Sequence, residues 1–575
     1  MDVPVCIPQV DANAAARREA VAAQMDRYDY TWHRPEGVAT ANAYPREEQF
    51  SASMVANFAL VKQRLGAQNV KTGATSRLGE VKRAWEQSDA PGGVLGAAAR
   101  ALDSIRVARE AVDTCRGTPD VCASFFDGDR PPLVARFIDE PERRDELHAW
   151  QRVGGTNPFT LRRARSIPED FAVTAAHFTR AMGEADSLDA ARAEGRLYLG
   201  DWTALDGVVA GVNDDQRKVL YAPWALYVET RDRRLMPVAI QCGPRPGAPL
   251  VTAADGARWE AARLVVQCAD TQIQGLQFHL GRCHMLMEAF ALATMRRLSD
   301  RHPVKALLRP HLEFTLAINR SVRDELMVPG SKLDTLMAPT FARSVDLVAD
   351  AVRSFDLTTA LPPADIAARD LGDLGSHPWR DDALDVWRSI RAFAASYLRL
   401  YYPDDAAVVA DHEVADWAAE LASPWGGRLR VPSPRDLDAL GDLVAYVVFV
   451  AGPQHSVINY GQYDTMAFAP HYPTALYGQL PGEGPDADAA LELMYMPADV
   501  ARQQFNFFYE QSQLQENQLG RYAPGAFVDP RVGDLVREFQ RDLEGLEARF
   551  TERNRARLLP FPWILPSAIR ASIHS

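Results

Sequence analysis

The sequence lacks the arrangements that would place it in several common protein classes. Its six cysteines are spread along the chain without a CxxC pair, so neither a disulfide framework nor a zinc ribbon is predicted. No run of eighteen apolar residues is present, which argues against a transmembrane helix. The N-terminal residues MDVPVCIPQVDANAAARREA contain no basic region followed by an apolar core, so no signal peptide is expected. We therefore expect a soluble protein in the cytoplasm.

The chain also lacks an excess of positive charge. Its formal net charge is -13 and its pI is near 5.5, whereas proteins that bind nucleic acid normally show a basic excess. The same charge gives no long-range attraction towards anionic lipid, although peripheral membrane contact and the oligomeric state remain open. Hydrophobic residues make up 47% of the 575 residues, which is ample for a large core.

Histidines are concentrated in residues 274–311, which hold four of the twelve in the chain. Residues 276–298 carry apolar side chains at helical spacing, which predicts a long, mostly buried helix. On a regular α-helix, His279 and His284 would point about 140° apart. A local π-helical turn brings such a pair onto one face, and π-bulges occur preferentially at functional sites. Hydrogen-bonded core imidazoles and two ligands of one metal explain this pair about equally well.

A second candidate pair lies in the apolar run 445–464. His455 and Asn459 are four residues apart and so share a face of a helix. An imidazole and an amide oxygen suit a metal such as iron better than one that prefers thiolates. Taken alone, this pair is explained better by an ordinary buried amide.

These segments together carry a family resemblance. The stretch HLGRCHMLMEAFALATMRRLSDRHPVKALLRPHLEFTLAINRSVRDEL, from His279 onwards, resembles the iron-binding region of the lipoxygenases. RLYLGDWTALDGV, YAPWALYV and WEAARLVVQCAD precede it in the family's order, and QHSVINYGQYD and ERNRARLLPFPWILPSAIRASI follow it. The resemblance runs from about Asp139 to the end of the chain.

The resemblance implies a mainly α fold, with a large helical lipoxygenase-type catalytic domain and a small β-sheet subdomain. Strand-like runs at 196–211, 218–229 and 235–242 supply the sheet. Many lipoxygenases begin with a β-barrel, but alternating strand patterns of the needed length are missing from the first 120 residues. We therefore predict an N-terminal helical extension, residues 1–125, packed on a catalytic domain, residues 126–575. Its helices are predicted at 11–30, 49–65 and 92–112.

The resemblance also implies a non-haem iron site, to which manganese is chemically suited as well. The implied ligands are His279, His284, His455, Asn459 and the terminal carboxylate of Ser575. In this family an iron-bound hydroxide takes a hydrogen atom from the 1,4-pentadiene of a polyunsaturated fatty acid, and O2 traps the radical to give a hydroperoxide. No side chain is needed as an acid or base.

Other residues receive supporting roles from the same resemblance. Gln462 matches a glutamine that orients the ligands. Glu288, one turn after His284, either accepts the second N–H of that imidazole or bonds elsewhere in the core. Val322, Leu326, Leu336 and Met337 match positions that shape the fatty-acid channel, although each also fits an ordinary core position. Val322 stands where the family's S-specific enzymes generally have Ala, which predicts a product of S configuration.

The sequence departs from the family pattern at two places. Gly275 stands where Gln or Glu is usual, and Ser575 stands where the chain usually ends in Ile. A buried Ile contributes about 2 kcal/mol of apolar burial, so the anchoring of the chain end changes, and His574 becomes a conceivable substitute donor. His302 and His311 match family histidines that are not ligands, and we expect both to be buried and hydrogen-bonded.

Three functions are compatible with these observations. The first is a dioxygenase acting on a polyunsaturated fatty acid. The second is an enzyme with the lipoxygenase fold that acts on another lipid-like substrate or rearranges hydroperoxides. The third belongs to another class, a catalytically silent lipid-binding protein that holds iron poorly.

Overall fold

The computed structural model describes residues 4–86, 115–126, 128–213, 215–513 and 516–575, with side chains described outside residues 70–86. Most of the chain forms a helical body around one large hydrophobic core. A five-stranded sheet lies at its side, where a second, smaller core packs beneath it.

The N-terminal segment is not purely helical, which corrects the prediction. Between the helices Ala14–Met25 and Ala52–Glu86, strands β1 (Asp29–His33) and β2 (Glu36–Ala43) form an antiparallel hairpin. Four consecutive residues of β2, 38–41, are buried. Because both faces of this strand are covered, it lacks the alternation of apolar and polar residues that predicts a strand. The helix predicted at 92–112 lies outside the described residues.

The sheet predicted from the strand-like runs is present. Each of the three predicted runs contains one of its strands: β4 (Leu197–Asp201), β7 (Trp224–Glu229) and β8 (Leu235–Gln241). Strands β3 (Leu161–Arg163) and β9 (Leu250–Thr252) form its edges. The antiparallel order is β3-β4-β7-β8-β9. Strands β5 (Val212–Asn213) and β6 (Gln216–Arg217) form a separate pair.

Beyond the sheet the chain is almost wholly helical, as predicted. Among the described residues, the other α- and π-helices, apart from the two that hold the site, are Pro119–Ala123, Pro132–Asp139, Arg144–Gly154, Ala175–Met182, Leu188–Ala193, Pro303–Leu308, Thr315–Ser321, Val322–Leu326 (π), Lys332–Leu336, Phe341–Arg353, Leu357–Ala360, Pro362–Ala368, Pro378–Leu398, Asp405–Val409, His412–Ala422, Ala487–Met494, Ala498–Gln513 and Val532–Ala556.

Two long helices cross the core and carry the candidate ligands. The first site helix is continuous over residues 257–297 and consists of Ala257–Gln272 (α), Ile273–Met285 (π) and Leu286–Arg297 (α). The second site helix comprises Leu437–Phe449 (α), Val450–Gln454 (π), His455–Tyr460 (α) and Gln462–Met466 (α). Each helix therefore has a π-helical segment at or next to its histidines.

The second site helix has an unusual composition. Over Leu437–Met466 it is long and apolar enough to cross a membrane, the one such helix in the described part of the chain. However, 72% of its most apolar window is buried inside the molecule, and it packs against the helix Pro378–Leu398. Its apolar residues are accounted for by the protein core, which core helices of large proteins commonly show.

Candidate metal centre

The π-helical segment Ile273–Met285 places His279 and His284 side by side. In a π-helix the hydrogen bonds span five residues, so side chains five apart face the same way. The two Nε2 atoms are 3.2 Å apart. The sequence predicted a local π-turn here, and the structure extends it to thirteen residues.

His455 on the second site helix completes a group of three imidazoles. Its ring centroid lies 5.6 Å from that of His279 and 5.3 Å from that of His284. One nitrogen of each ring lies within 4.8 Å of the others. All three residues are buried, so two helices far apart in sequence meet at one point inside the core.

The polar atoms at this point fit a metal ion. Among the described residues, the buried Oδ1 atom of Asn459 has no hydrogen-bond partner, and neither buried ring nitrogen of His455 bonds to a side chain. The Asn459 amide is oriented by its Nδ2 atom, which donates to the Gln511 carbonyl at 2.8 Å and to the Ser575 Oγ at 2.9 Å. Buried polar atoms in proteins are normally paired, and a set of imidazole nitrogens with one amide oxygen suits iron or manganese.

Burial keeps these imidazoles neutral. It lowers the pKa of His284 to about 4 and lowers the pKa values of His279 and His455 well below the usual value. For His279 and His455, the neighbouring imidazoles of the trio lower the pKa further. Neutral imidazole has one nitrogen with a lone pair, and a metal needs that form. The three side chains are therefore in the ligating state at neutral pH.

The ring of His284 is oriented by a residue that the sequence analysis missed. Its Nδ1 lies 2.8 Å from Oδ1 of Asn319, and the Asn319 Nδ2 donates to the His284 carbonyl at 2.7 Å. Glu288, the candidate partner, instead pairs with Arg323 at 2.5 Å and accepts from the Ala41 N–H at 2.7 Å. Of the two roles open to Glu288, the structure therefore shows the second, because its side chain turns towards the N-terminal hairpin. A buried Asn within the apolar run TLAIN was the available signal.

Gln462 occupies the position expected for an orienting residue. Nε2 of its side chain lies 3.2 Å from Nδ1 of His279, and its buried Oε1 has no hydrogen-bond partner among the described residues. With the amide turned about the last side-chain bond, Oε1 would accept from Nδ1–H and direct the lone pair on Nε2 of His279 to the metal position.

The C-terminus is buried at the site. Residue Ser575 is 3% exposed, and its Oγ lies 3.1 Å from the hydroxyl of Tyr460 in addition to its contact with Asn459. Hydrogen bonds therefore anchor the chain end where an Ile would use apolar packing. His574 lies 3.4 Å from the Tyr460 hydroxyl and accepts from the Glu516 N–H at 3.3 Å, so its Nε2 is already engaged.

His302 and His311 have the structural roles predicted for them. His302 contacts Asp411 at 3.0 Å and accepts from the Val304 N–H at 3.1 Å. His311 lies 2.9 Å from the Ala571 carbonyl. Both residues are fully buried.

A cavity of 460 Å³ opens beside the imidazoles, and His279, His284, Gln462 and Ser575 form part of its wall. The four predicted channel residues, Val322, Leu326, Leu336 and Met337, all line it. This volume falls within the range of about 300 to 1,000 Å³ that is typical of ligand pockets.

Two neighbouring residues of the first site helix shape the wall near the imidazoles. A Cβ on Gly275 would lie 3.2 Å from Cε of Met337, so the glycine admits the Met337 side chain. Gln274 also lines the cavity, and its buried Oε1 has no hydrogen-bond partner in the part of the chain that the structure describes. The sequence analysis missed Gln274, although its position beside Gly275 was visible.

Comparison with known proteins identifies this arrangement. A sequence profile described as lipoxygenase matches residues 142–557, which include every imidazole of the trio. The chain belongs to the lipoxygenase family. A linoleate 9/13-lipoxygenase of Pseudomonas aeruginosa is 34% identical over 75% of this chain and 66% of its own length. A polyunsaturated fatty acid lipoxygenase of Rattus norvegicus is 31% identical over 76% of this chain and 67% of its own length. The chain thus spans about two thirds of the length of these relatives.

The likeness to solved lipoxygenases is not confined to the residues that the profile matches. A lipoxygenase crystal structure in complex with arachidonate superposes with a TM-score of 0.84, covering 100% of this chain and 84% of that one at 23% sequence identity. This likeness includes the N-terminal segment, which the sequence profile does not match. The mainly helical fold with a small sheet, predicted from the sequence, is confirmed.

Proposed function

We propose that this lipoxygenase binds a non-haem iron ion and uses O2 to convert a polyunsaturated fatty acid into a hydroperoxide. The observation that carries the proposal is the convergence of three neutral imidazoles and an unpartnered amide oxygen on the wall of a large cavity. The names of the two relatives, which refer to linoleate and to polyunsaturated fatty acids, support the substrate class.

In the proposed reaction, the protein holds the metal and positions the substrate. His279, His284, His455 and Asn459 hold the ion, and the terminal carboxylate of Ser575 is proposed as a further ligand. When bound, the iron supplies the one-electron chemistry that removes a hydrogen atom from the methylene between two double bonds. The Asn319 amide accepts from Nδ1–H of His284 and so fixes the tautomer whose Nε2 lone pair faces the ion, and a Gln462 amide turned to present Oε1 would do the same for His279.

The cavity wall supplies the remaining requirements of the reaction. Leu280, Ile318 and Leu333 provide apolar contacts for the hydrocarbon chain and leave few partners for water, which protects a radical from side reactions. Val322 is 9% exposed and lines the same cavity. Its branched side chain obstructs oxygen at the adjacent carbon, so we propose an S product, which chiral chromatography tests.

The central experiment combines metal analysis with oxygen uptake. Purified protein is expected to contain about one iron per chain and to consume O2 with linoleate or arachidonate, with conjugated diene formation. His455→Gln should lose both iron and uptake, whereas the exposed His412→Gln, a matched control, should keep both. Iron without uptake, followed by turnover of an added hydroperoxide, would favour the rearrangement reaction. Protein without iron after growth in iron-rich medium would favour the lipid-binding function.

A further inference from the structure

One buried amide in the cavity wall has an oxygen atom that is left for a ligand. Gln274 is fully buried and lines the cavity, and its Oε1 has no hydrogen-bond partner in the part of the chain that the structure describes. Its Nε2 donates to the Ile458 carbonyl at 3.0 Å. Because a carbonyl oxygen only accepts, this bond fixes which end of the amide is the oxygen. Turning the amide would bring two oxygen atoms together, so the acceptor stays unpaired.

Gln462 differs from Gln274 in this respect. Its buried Oε1 also has no hydrogen-bond partner among the described residues. A turn of that amide, however, pairs the oxygen with Nδ1–H of His279, which lies 3.2 Å from Nε2. Of these two amide oxygens on the cavity wall, only that of Gln274 cannot be satisfied by turning its own amide.

The threonine hydroxyls of the described cavity wall are already used. Thr271 donates to a backbone carbonyl of its own helix at 2.9 Å, and Thr474 donates to Oε1 of Gln504 at 2.8 Å. Each hydroxyl has a single proton to donate. Neither threonine therefore supplies the donor that Gln274 lacks.

Gln274 lies close to the place where the substrate reacts. Residues 274, 279 and 284 all belong to the π-helical segment Ile273–Met285, in which side chains five apart face the same way. Gln274 is thus one helical turn from His279, about 5 Å along the axis. A substrate group that reaches Oε1 lies within a few carbon atoms of the part of the chain that faces the imidazoles.

A plain hydrocarbon chain leaves this acceptor without a partner. The middle of a fatty acid offers no N–H or O–H group, so it excludes water from Oε1 and gives no hydrogen bond in return. This costs free energy comparable to a lost hydrogen bond. A hydroxyl group at the same place supplies the missing donor, and sites that bind a hydroxyl group discriminate against the analogue that lacks it.

We propose that the preferred substrate is a polyunsaturated fatty acid that already carries a hydroxyl group, whose O–H donates to Oε1 of Gln274. This inference rests on the proposed function and adds a substrate class to it. The reaction is unchanged: a remaining 1,4-pentadiene loses one hydrogen atom and takes up O2, so that R–H and O2 give R–OOH. The hydroxyl group is not altered.

The first test measures binding and needs no turnover. Stearate and positional isomers of hydroxystearate compete with a fluorescent fatty acid for the purified protein. At least one isomer should bind about tenfold more tightly than stearate. The oxostearate with its carbonyl group on the same carbon is the matched ligand, because it offers an acceptor in place of the donor, and it should bind no more tightly than stearate. Equal affinities of the hydroxy and oxo acids overturn the proposal, as expected if a bound water already serves Oε1.

Gln274→Met assigns the effect to this residue. The variant has no acceptor here, so hydroxystearate should lose its advantage, while the affinity for stearate stays the same or rises. Gln277→Met is the matched control, because Gln277 is a partly buried residue of the same π-helical segment outside the described cavity wall.

Two results with the folded Gln274→Met variant overturn the proposal. One is an advantage of hydroxystearate that survives the substitution. The other is an equal loss of affinity for both acids, which a purely structural role of the amide predicts. If the variant does not fold, the comparison of the hydroxy and oxo acids in the wild type decides.

Oxygen uptake gives a second readout. Arachidonate is compared with monohydroxy derivatives that keep a 1,4-pentadiene, and kcat/KM should be about tenfold higher for at least one derivative in the wild type but not in Gln274→Met. If no acid is oxidised while hydroxystearate is still preferred, the proposed function fails and the hydroxyl site is supported. If arachidonate is oxidised and no hydroxylated acid is preferred, the hydroxyl site fails and the proposed function is supported.

Discussion

Asn319 makes two hydrogen bonds to His284: its Oδ1 accepts from the ring at 2.8 Å, and its Nδ2 donates to the backbone carbonyl at 2.7 Å. The two residues belong to different helices. The contact with the ring fixes the rotation of the imidazole, and the contact with the carbonyl fixes the position of the His284 backbone. Partners of this kind often decide how well a metal site works.

Replacing Asn319 should therefore weaken metal binding. Asn319→Leu removes the acceptor for Nδ1–H, and we expect iron affinity to fall about 10- to 100-fold, measured by competition with a chelator. Asn319→Asp keeps an acceptor at the same place and should retain most of the affinity. Equal affinity in the Leu variant and the wild type would contradict the role assigned to the amide.

Gly281 lies between the two histidines and touches a neighbouring helix. A Cβ at this position would lie 2.7 Å from Cβ of Ala351 and 3.1 Å from the Val348 carbonyl. Gly281→Ala should therefore lower the free energy of unfolding by about 2 kcal/mol and reduce iron content, because the helices must separate.

Gly275→Ala is the matched control for Gly281→Ala. The added methyl group meets only the flexible end of Met337, at 3.2 Å, and alanine gains about 1 kcal/mol of helix propensity over glycine. Urea unfolding should show a change of less than about 1 kcal/mol. Similar losses in the two variants would show that close helix packing is not the cause.

The end of the chain can be tested without changing any other residue. Deleting Ser575 moves the terminal carboxylate back by about 3.5 Å, and we expect iron affinity to fall at least about tenfold. Ser575→Ala keeps the carboxylate and loses only the hydroxyl, at a cost of about 1 kcal/mol. Unaltered iron binding in the deletion variant would exclude the carboxylate as a ligand.

The buried Lys218 should make the free energy of unfolding rise at alkaline pH. Burial lowers its pKa from 10.5 to about 8, so between these values the unfolded chain still holds a proton that the folded protein has released. Stability must then increase as pH rises, by about 2 kcal/mol between pH 7.5 and 9.5. The neutral amine still donates to the Asp334 and Met337 carbonyls.

The control for this pH dependence is Lys218→Met, which has no group that titrates there. Denaturant unfolding at several pH values should show the rise in the wild type and not in the variant. Equal slopes in the two proteins would mean that the folded protein keeps Lys218 charged.

The sequence predicted the structure best where the spacing of particular residues is compatible with few local structures. The five-residue spacing of His279 and His284 predicted a π-turn, and the match to family motifs predicted the helical body and the channel residues. Hydrogen-bond partners that are brought together only by tertiary contacts could not be predicted, because nothing in the local sequence distinguishes Asn319 from other buried amides. The role of Glu288 stayed open for the same reason, since spacing along a helix does not reveal a neighbouring hairpin.

Other expectations stay predictions. These are the boundary near residue 125, the cytoplasmic location, and the role of the Ser575 carboxylate. The hairpin was missed because strand β2 is buried on both faces, which removes the alternation that identifies strands.

That hairpin contacts two residues that lie next to the metal site and the cavity wall. The Ala41 N–H binds Glu288, and the Ala41 carbonyl accepts from Arg323 at 3.0 Å. Glu288 follows His284 by one turn, and Arg323 adjoins Val322 of the cavity wall. Residue 41 thus supports the metal site and the cavity wall from behind, although it precedes the family-matched residues by a hundred positions. A truncated protein limited to those residues would leave Glu288 and Arg323 buried beside an unfilled space.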